Sequence, residues 1–89
     1  MIHPTFTFDE DANGWLSEPF VVEEQATVFI ELASMAPVVT LKRETDGGYA
    51  NYGQTPKESD RYELSITSNQ EETVILATPV EVTSCYIIN

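Results

Sequence analysis

Thr27-Val28-Phe29-Ile30-Glu31-Leu32 decides the fold class. In an extended chain successive side chains point to opposite faces, so Val28, Ile30 and Leu32 form one apolar row and Phe29 and Glu31 the other. The same spacing recurs in Tyr62-Leu64-Ile66 around Glu63 and Ser65, and in Phe6 and Phe8 between Thr5 and Thr7. Val39 and Leu41, Val74 and Leu76, Val80 and Val82, and Tyr86 and Ile88 continue it, with Thr, Val and Ile placed as strands prefer. Asp11-Ala12-Asn13-Gly14, Ala36-Pro37, Asp46-Gly47-Gly48, Gly53-Gln54-Thr55-Pro56 and Ser68-Asn69-Gln70 separate the runs with turn residues. About seven or eight short strands follow: Ile2–Phe8, Phe20–Val22, Thr27–Leu32, Val38–Glu44, Tyr49–Tyr52, Arg61–Thr67, Thr73–Ala77 and Val80–Ile88. The one helical candidate, Val22–Ala26, is bounded by Pro19 and a β-branched run, and reads equally as an acidic turn. The expected class is all-β, a single antiparallel β-sandwich or jelly-roll-like barrel spanning residues 1–89.

Both parities carry apolar residues. With Val28, Ile30 and Leu32 inward, Phe29 faces out, and the same count turns Val21, Val38, Ile75, Cys85 and Ile87 outward. A sandwich hides one face of each sheet, so a second apolar face implies cover by loops or by another subunit. The residues expected to meet a partner are Phe29, Ile75, Tyr86 and Ile87.

Composition narrows the roles. Eighty-nine residues fit one core and leave no room for a two-domain enzyme. Four Lys and Arg against fifteen Asp and Glu give a net charge of −11. Lys42, Arg43, Lys57 and Arg61 are too dispersed for the basic patch that nucleic acid requires. No apolar run is long enough for a membrane span, and Met1-Ile2-His3-Pro4 has neither the basic start nor the apolar stretch of an export signal, so a cytoplasmic chain is expected. The one cysteine, Cys85, forms no disulfide within the chain.

Catalytic constellations are sparse. A Cys85–His3 dyad would need paired terminal strands and lacks an orienting third group. One Cys and one His exclude a zinc centre. Glu23-Glu24 and Glu71-Glu72 read as solubilising charge. Asp9-Glu10-Asp11-Ala12-Asn13-Gly14 begins as a calcium loop does, but position twelve is Phe20, not a bidentate acid. A looser calcium site would use Asp9, Asp11, Asn13 and Glu18, the alternative being a solvated hairpin loop in which Asn13-Gly14 supplies the positive φ. Tyr49, Asn51, Tyr52 and Gln54, with Lys57 nearby, form a second candidate: a Gly-containing aromatic loop suited to a sugar or polar peptide, which Trp15 would join.

The turn Thr45-Asp46-Gly47-Gly48-Tyr49, the loop Tyr52-Gly53-Gln54-Thr55-Pro56 and the strand-rich ending Thr78-Pro79-Val80-Glu81-Val82 give the chain its general style. In that style it resembles the small all-β decoration or head-fibre proteins of tailed bacteriophages. The resemblance spans the whole chain as a type, and no functional position is transferred from it. It implies a non-enzymatic virion subunit, often trimeric, attached to a capsid shell and made in the host cytoplasm. Two other roles fit the residues: a carbohydrate-binding β-sandwich module using the Tyr49–Pro56 loop, and an acidic inhibitor of a basic partner, whose association the −11 charge would steer.

Overall fold

The computed structural model describes residues 1–89. The alternation at Thr27–Leu32 belongs to a longer strand, β4 (Gln25–Ala36), the centre of a three-stranded antiparallel sheet in the order β7 (Ser59–Thr67), β4, β9 (Val82–Ile88). The opposing antiparallel sheet contains β1 (Phe6–Asp9), β2 (Gly14–Ser17), β8 (Glu72–Thr78), β5 (Val39–Thr45) and β6 (Gly48–Thr55) in that order, with β3 (Phe20–Val22) also pairing β8. The fold is a β-sandwich. No helix forms, and Glu23-Glu24 is a bend between β3 and β4.

Fifteen buried residues fill the space between the sheets, among them Val22, Val28, Leu76 and Ile87, each fully enclosed. Each such side chain contributes about 1.5–3 kcal/mol by leaving water. The one ion pair, Arg43 to Glu72 at 3.6 Å, has an Arg side chain 54% exposed, and such pairs contribute at most about 1 kcal/mol. Burial therefore holds the sandwich, and charge does little.

Three local features reshape the expected strands. The Ile2–Phe8 strand is split at the buried Pro4, which has no N–H to give to a ladder. Ile2 exchanges two backbone hydrogen bonds with Ile87 of the three-stranded sheet, at 2.9 and 2.8 Å, whereas Phe6 pairs with Ser17 of the other. The chain changes sheets between them. Next, Gly14–Ser17 forms a strand absent from the expected set, its first residue taken from the Asp11–Gly14 turn. Asp9 lies directly opposite Gly14, closing the hairpin tightly, and Asn13 alone adopts the left-handed conformation there, at φ 51°. Gly14 is required for close approach, because a Cβ would lie 2.9 Å from the Thr78 carbonyl oxygen. Finally, the segment read as the loop Gly53–Pro56 continues β6 as far as Thr55.

A fourth correction concerns β9. Glu31 pairs with Ser84 but Leu32 pairs with Val82, so Thr83 is an extra residue, a β-bulge, and its hydroxyl donates to the Glu31 carbonyl at 3.2 Å. One inserted residue reverses the parity of all that follows. Val82 packs on the core, and beyond the bulge it is Cys85 and Ile87, not Tyr86 and Ile88, that turn inward. Ile87, expected on the outer face, is 0% exposed.

No helix is long and apolar enough to cross a membrane.

Candidate functional site

The outer face of the three-stranded sheet follows from register. Three rows cross β7, β4 and β9 in turn: Arg61, Glu31 and Ser84; Glu63, Phe29 and Tyr86; Ser65, Thr27 and Ile88. Phe29 and Tyr86, directly paired, stack with ring centroids 4.8 Å apart and planes 17° from parallel. The His3 ring lies 6.4 Å from that of Tyr86, and Ile88 is 45% exposed. The result is an aromatic strip toward β9, bordered on β7 by both signs of charge. A shallow cavity beside the strip is lined by Phe29, Tyr86, Lys57, Arg61, Glu31 and Glu63. Two of the chain's four cations, Lys57 and Arg61, are gathered here, and neither forms an ion pair within the chain. Placing them beside half-buried aromatics concentrates the scarce positive charge of an acidic protein on one face.

The other expected partner residue, Ile75, does point away from the core as its parity requires, yet it is only 6% exposed. It sits under a surface cavity shared with Thr5, Leu16, Pro19 and Tyr49. The cover comes from the chain's own flanks, so Ile75 is not a free contact.

The Tyr49–Gln54 candidate does not converge. Asn51 pairs with Lys42 while Gly53 pairs with Leu41, leaving Tyr52 as the extra residue of a second bulge. Tyr52 consequently packs against the core, and its hydroxyl donates to the Thr67 carbonyl at 2.8 Å. Tyr49 instead borders the Ile75 cavity, Asn51 lines a groove with Trp15 and Lys42, and Gln54 lines the cleft between β6 and β7. The four residues occupy different sides of one edge strand and cannot grip one ligand together. Trp15 packs edge-on against Phe8, at 5.6 Å, and not against the tyrosines.

The calcium set is likewise divided. The register from Phe6–Ser17 to Asp9–Gly14 places Asp9 at the hairpin tip and Glu18 beyond its opposite end. Asp9 accepts the Ala12 N–H at 2.8 Å, and Glu18 accepts the Thr5 N–H at 2.9 Å. Both carboxylates serve the backbone, and no three His, Cys, Asp or Glu side chains lie close enough to hold a metal ion. Cys85 and His3 also stay apart. The thiol is turned into the core, where burial pushes it up from 9.0 to about 11, whereas His3 lies beside Tyr86, which points the opposite way along the strand.

A further cluster was legible in the pattern and overlooked. Val39, Leu41 and Arg43 share one parity, as do Glu72, Val74 and Leu76, so Arg43 and Glu72 point to the inner side of the sandwich at one of its ends. Glu72, read as solubilising charge, has a side chain only 13% exposed, and its Oε2 has no hydrogen-bond partner. The Arg43 guanidinium lies 5.6 Å from the centre of the Tyr52 ring. Charges on an apolar row were the available signal.

Compared with protein-family models, with curated proteins and with solved structures, the chain matches none.

Proposed function

We propose that the chain is a non-enzymatic structural subunit of a larger protein assembly, and that it meets a second copy of itself through the outer face of the three-stranded sheet. The observation that carries this reading is the Phe29–Tyr86 stack, half-buried on the outer face of the three-stranded sheet, the side turned away from the core. Stacked aromatics are favoured anchors at protein contacts. Charge supports a self-complementary contact: unpaired Arg61 and Lys57 beside Glu31 and Glu63 let a two-fold related copy match each cation with an acid. A phage decoration or head-fibre protein is the concrete form favoured by the resemblance in sequence style.

A face three strands wide measures only about 10–15 Å across, and a stable interface buries about 800 Å² on each partner. Association is therefore expected to depend on concentration. Light scattering across a concentration series tests this. A discrete oligomer, reverting to monomer in the double variant Phe29→Thr/Tyr86→Thr, is the expected result. A monomer at every concentration, or an oligomer indifferent to both substitutions, rejects this face as the contact.

A further inference from the structure

At one end of the sandwich the two sheets do not close on apolar side chains. Arg43 of β5 and Glu72 of β8 take inward positions there, Tyr52 of β6 flanks them, and the connection Ser68-Asn69-Gln70 between β7 and β8 passes over them. These groups and Thr67 line a cavity of about 350 Å³, within the range of small-ligand sites. Its walls are polar throughout except for the Tyr52 ring.

Inward charges are costly where neighbouring turns of the same strands supply Leu41, Val74 and Leu76. The arrangement is also incomplete. One Glu72 oxygen faces Arg43 at 3.6 Å, while the other is enclosed and lacks any donor. Buried carboxylate oxygens are nearly always satisfied, and rotation of this carboxylate toward the adjoining cavity would bring the unmet acceptor to a donor from outside the chain. Arg43, half exposed, keeps N–H groups free beyond its contact with Glu72, and Asn69 and Gln70 add both donors and acceptors.

The chemistry of the occupant follows from this inventory. The Arg43–Glu72 pair has no net charge, so the cavity selects neither an anion nor a cation. It presents an acceptor and a donor side by side, which suits a ligand with adjacent groups that donate and accept in turn. Vicinal hydroxyls do both. We propose that this cavity is a binding site for a sugar residue, one hydroxyl donating to the Glu72 carboxylate as it turns toward the ligand and its neighbour accepting from Arg43, with the amides of Asn69 and Gln70 completing the recognition. Tyr52, anchored by its hydroxyl to Thr67, fixes the wall on which Arg43 rests. The site is separate from the Phe29–Tyr86 face and does not depend on self-assembly.

Titration of the ¹⁵N-labelled chain with glucose, galactose, mannose and N-acetylglucosamine tests it, following backbone amide signals. For at least one sugar, saturable shifts are expected at Arg43 and across residues 67–72, in the wild type and equally in the Phe29→Thr/Tyr86→Thr variant. Glu72→Gln should weaken that binding by about tenfold or more, as loss of a hydrogen bond to a charged group implies. Should Glu72→Gln disturb the fold, Asn69→Ala, at an exposed loop position, serves in its place. No saturable shift with any of the four sugars, or shifts that both variants leave unchanged, would overturn the proposal and leave the cavity to water.

Discussion

The Ser17 hydroxyl oxygen accepts the backbone N–H of Leu76 at 2.8 Å, joining residues 59 positions apart inside the sandwich. It stands in for a missing ladder bond. β2 pairs with β8 as far as Leu16–Ala77, and β3 resumes at Phe20–Val74, while the chain bulges outward over Glu18 and Pro19. Ser17→Ala would bury the Leu76 N–H without a partner, at a cost of about 1–3 kcal/mol. Urea denaturation measures it, and Ser17→Thr, which keeps the hydroxyl, should recover part of the loss.

Gly14→Ala tests the close approach of the first hairpin to the β8 end. The added methyl would meet the Thr78 carbonyl oxygen at 2.9 Å, and that neighbour is backbone, not a side chain able to swing away. Overpacking of this kind costs about 1–3 kcal/mol. The expected outcome is a lower melting temperature, whereas Gly47→Ala, with open space around its Cα, should melt within a few degrees of wild type.

The bulge at Thr83 is testable by contrast. If it sets the register as described, Ile87→Thr should cost about 2–4 kcal/mol, because Ile87 is wholly enclosed. Tyr86→Thr, one residue away on the outer face, should cost only about 1 kcal/mol, the size of an aromatic pair. Equal losses, or the reverse order, would contradict the register.

Cys85 and Tyr62 make stability sensitive to alkali. Burial is the leading cause for both groups, raising the thiol to about 11 and the phenol above its ordinary 10.0. Each neutral form is favoured in the folded state. For the thiol, the stability so gained is complete below pH 9 and lost as pH rises through 11. The urea midpoint should therefore fall between those values, less steeply in Cys85→Ala. Near pH 8 a thiol reagent should label native Cys85 far more slowly than the unfolded chain.

Much of the architecture was legible from residues alone, for stated reasons. β3 is the Phe20–Val22 that its bounding residues marked, and Val28, Ile30 and Leu32 of β4 face the core as alternation requires. Parity failed only where an extra residue intruded. Nothing in Val82-Thr83-Ser84 signals a bulge, because it depends on what the partner strand offers, and so alternation put Ile87 and Cys85 outward and Tyr86 inward, the reverse of their places, while Phe29 was assigned correctly. Tyr52 misled for the same reason, since its bulge separates it from Tyr49. The calcium set failed differently: sequence spacing suggested convergence, but hairpin pairing carried Glu18 away from Asp9. The inward turn of Arg43 and Glu72 was readable from alternation alone. They stand in register with apolar neighbours two positions away.

The path of the chain between the sheets bears on how it folds. Of the seven strand pairings, only β1 with β2 and β5 with β6 join neighbours in sequence; every other one waits for a distant segment to arrive. Loop closure must precede nearly all the favourable contacts, and topologies of this kind fold in milliseconds to seconds, not microseconds. Until β8 and β4 find their partners, their apolar rows stay open to neighbouring chains. The surplus of acidic side chains then acts as protection during folding, holding nascent copies apart by mutual repulsion.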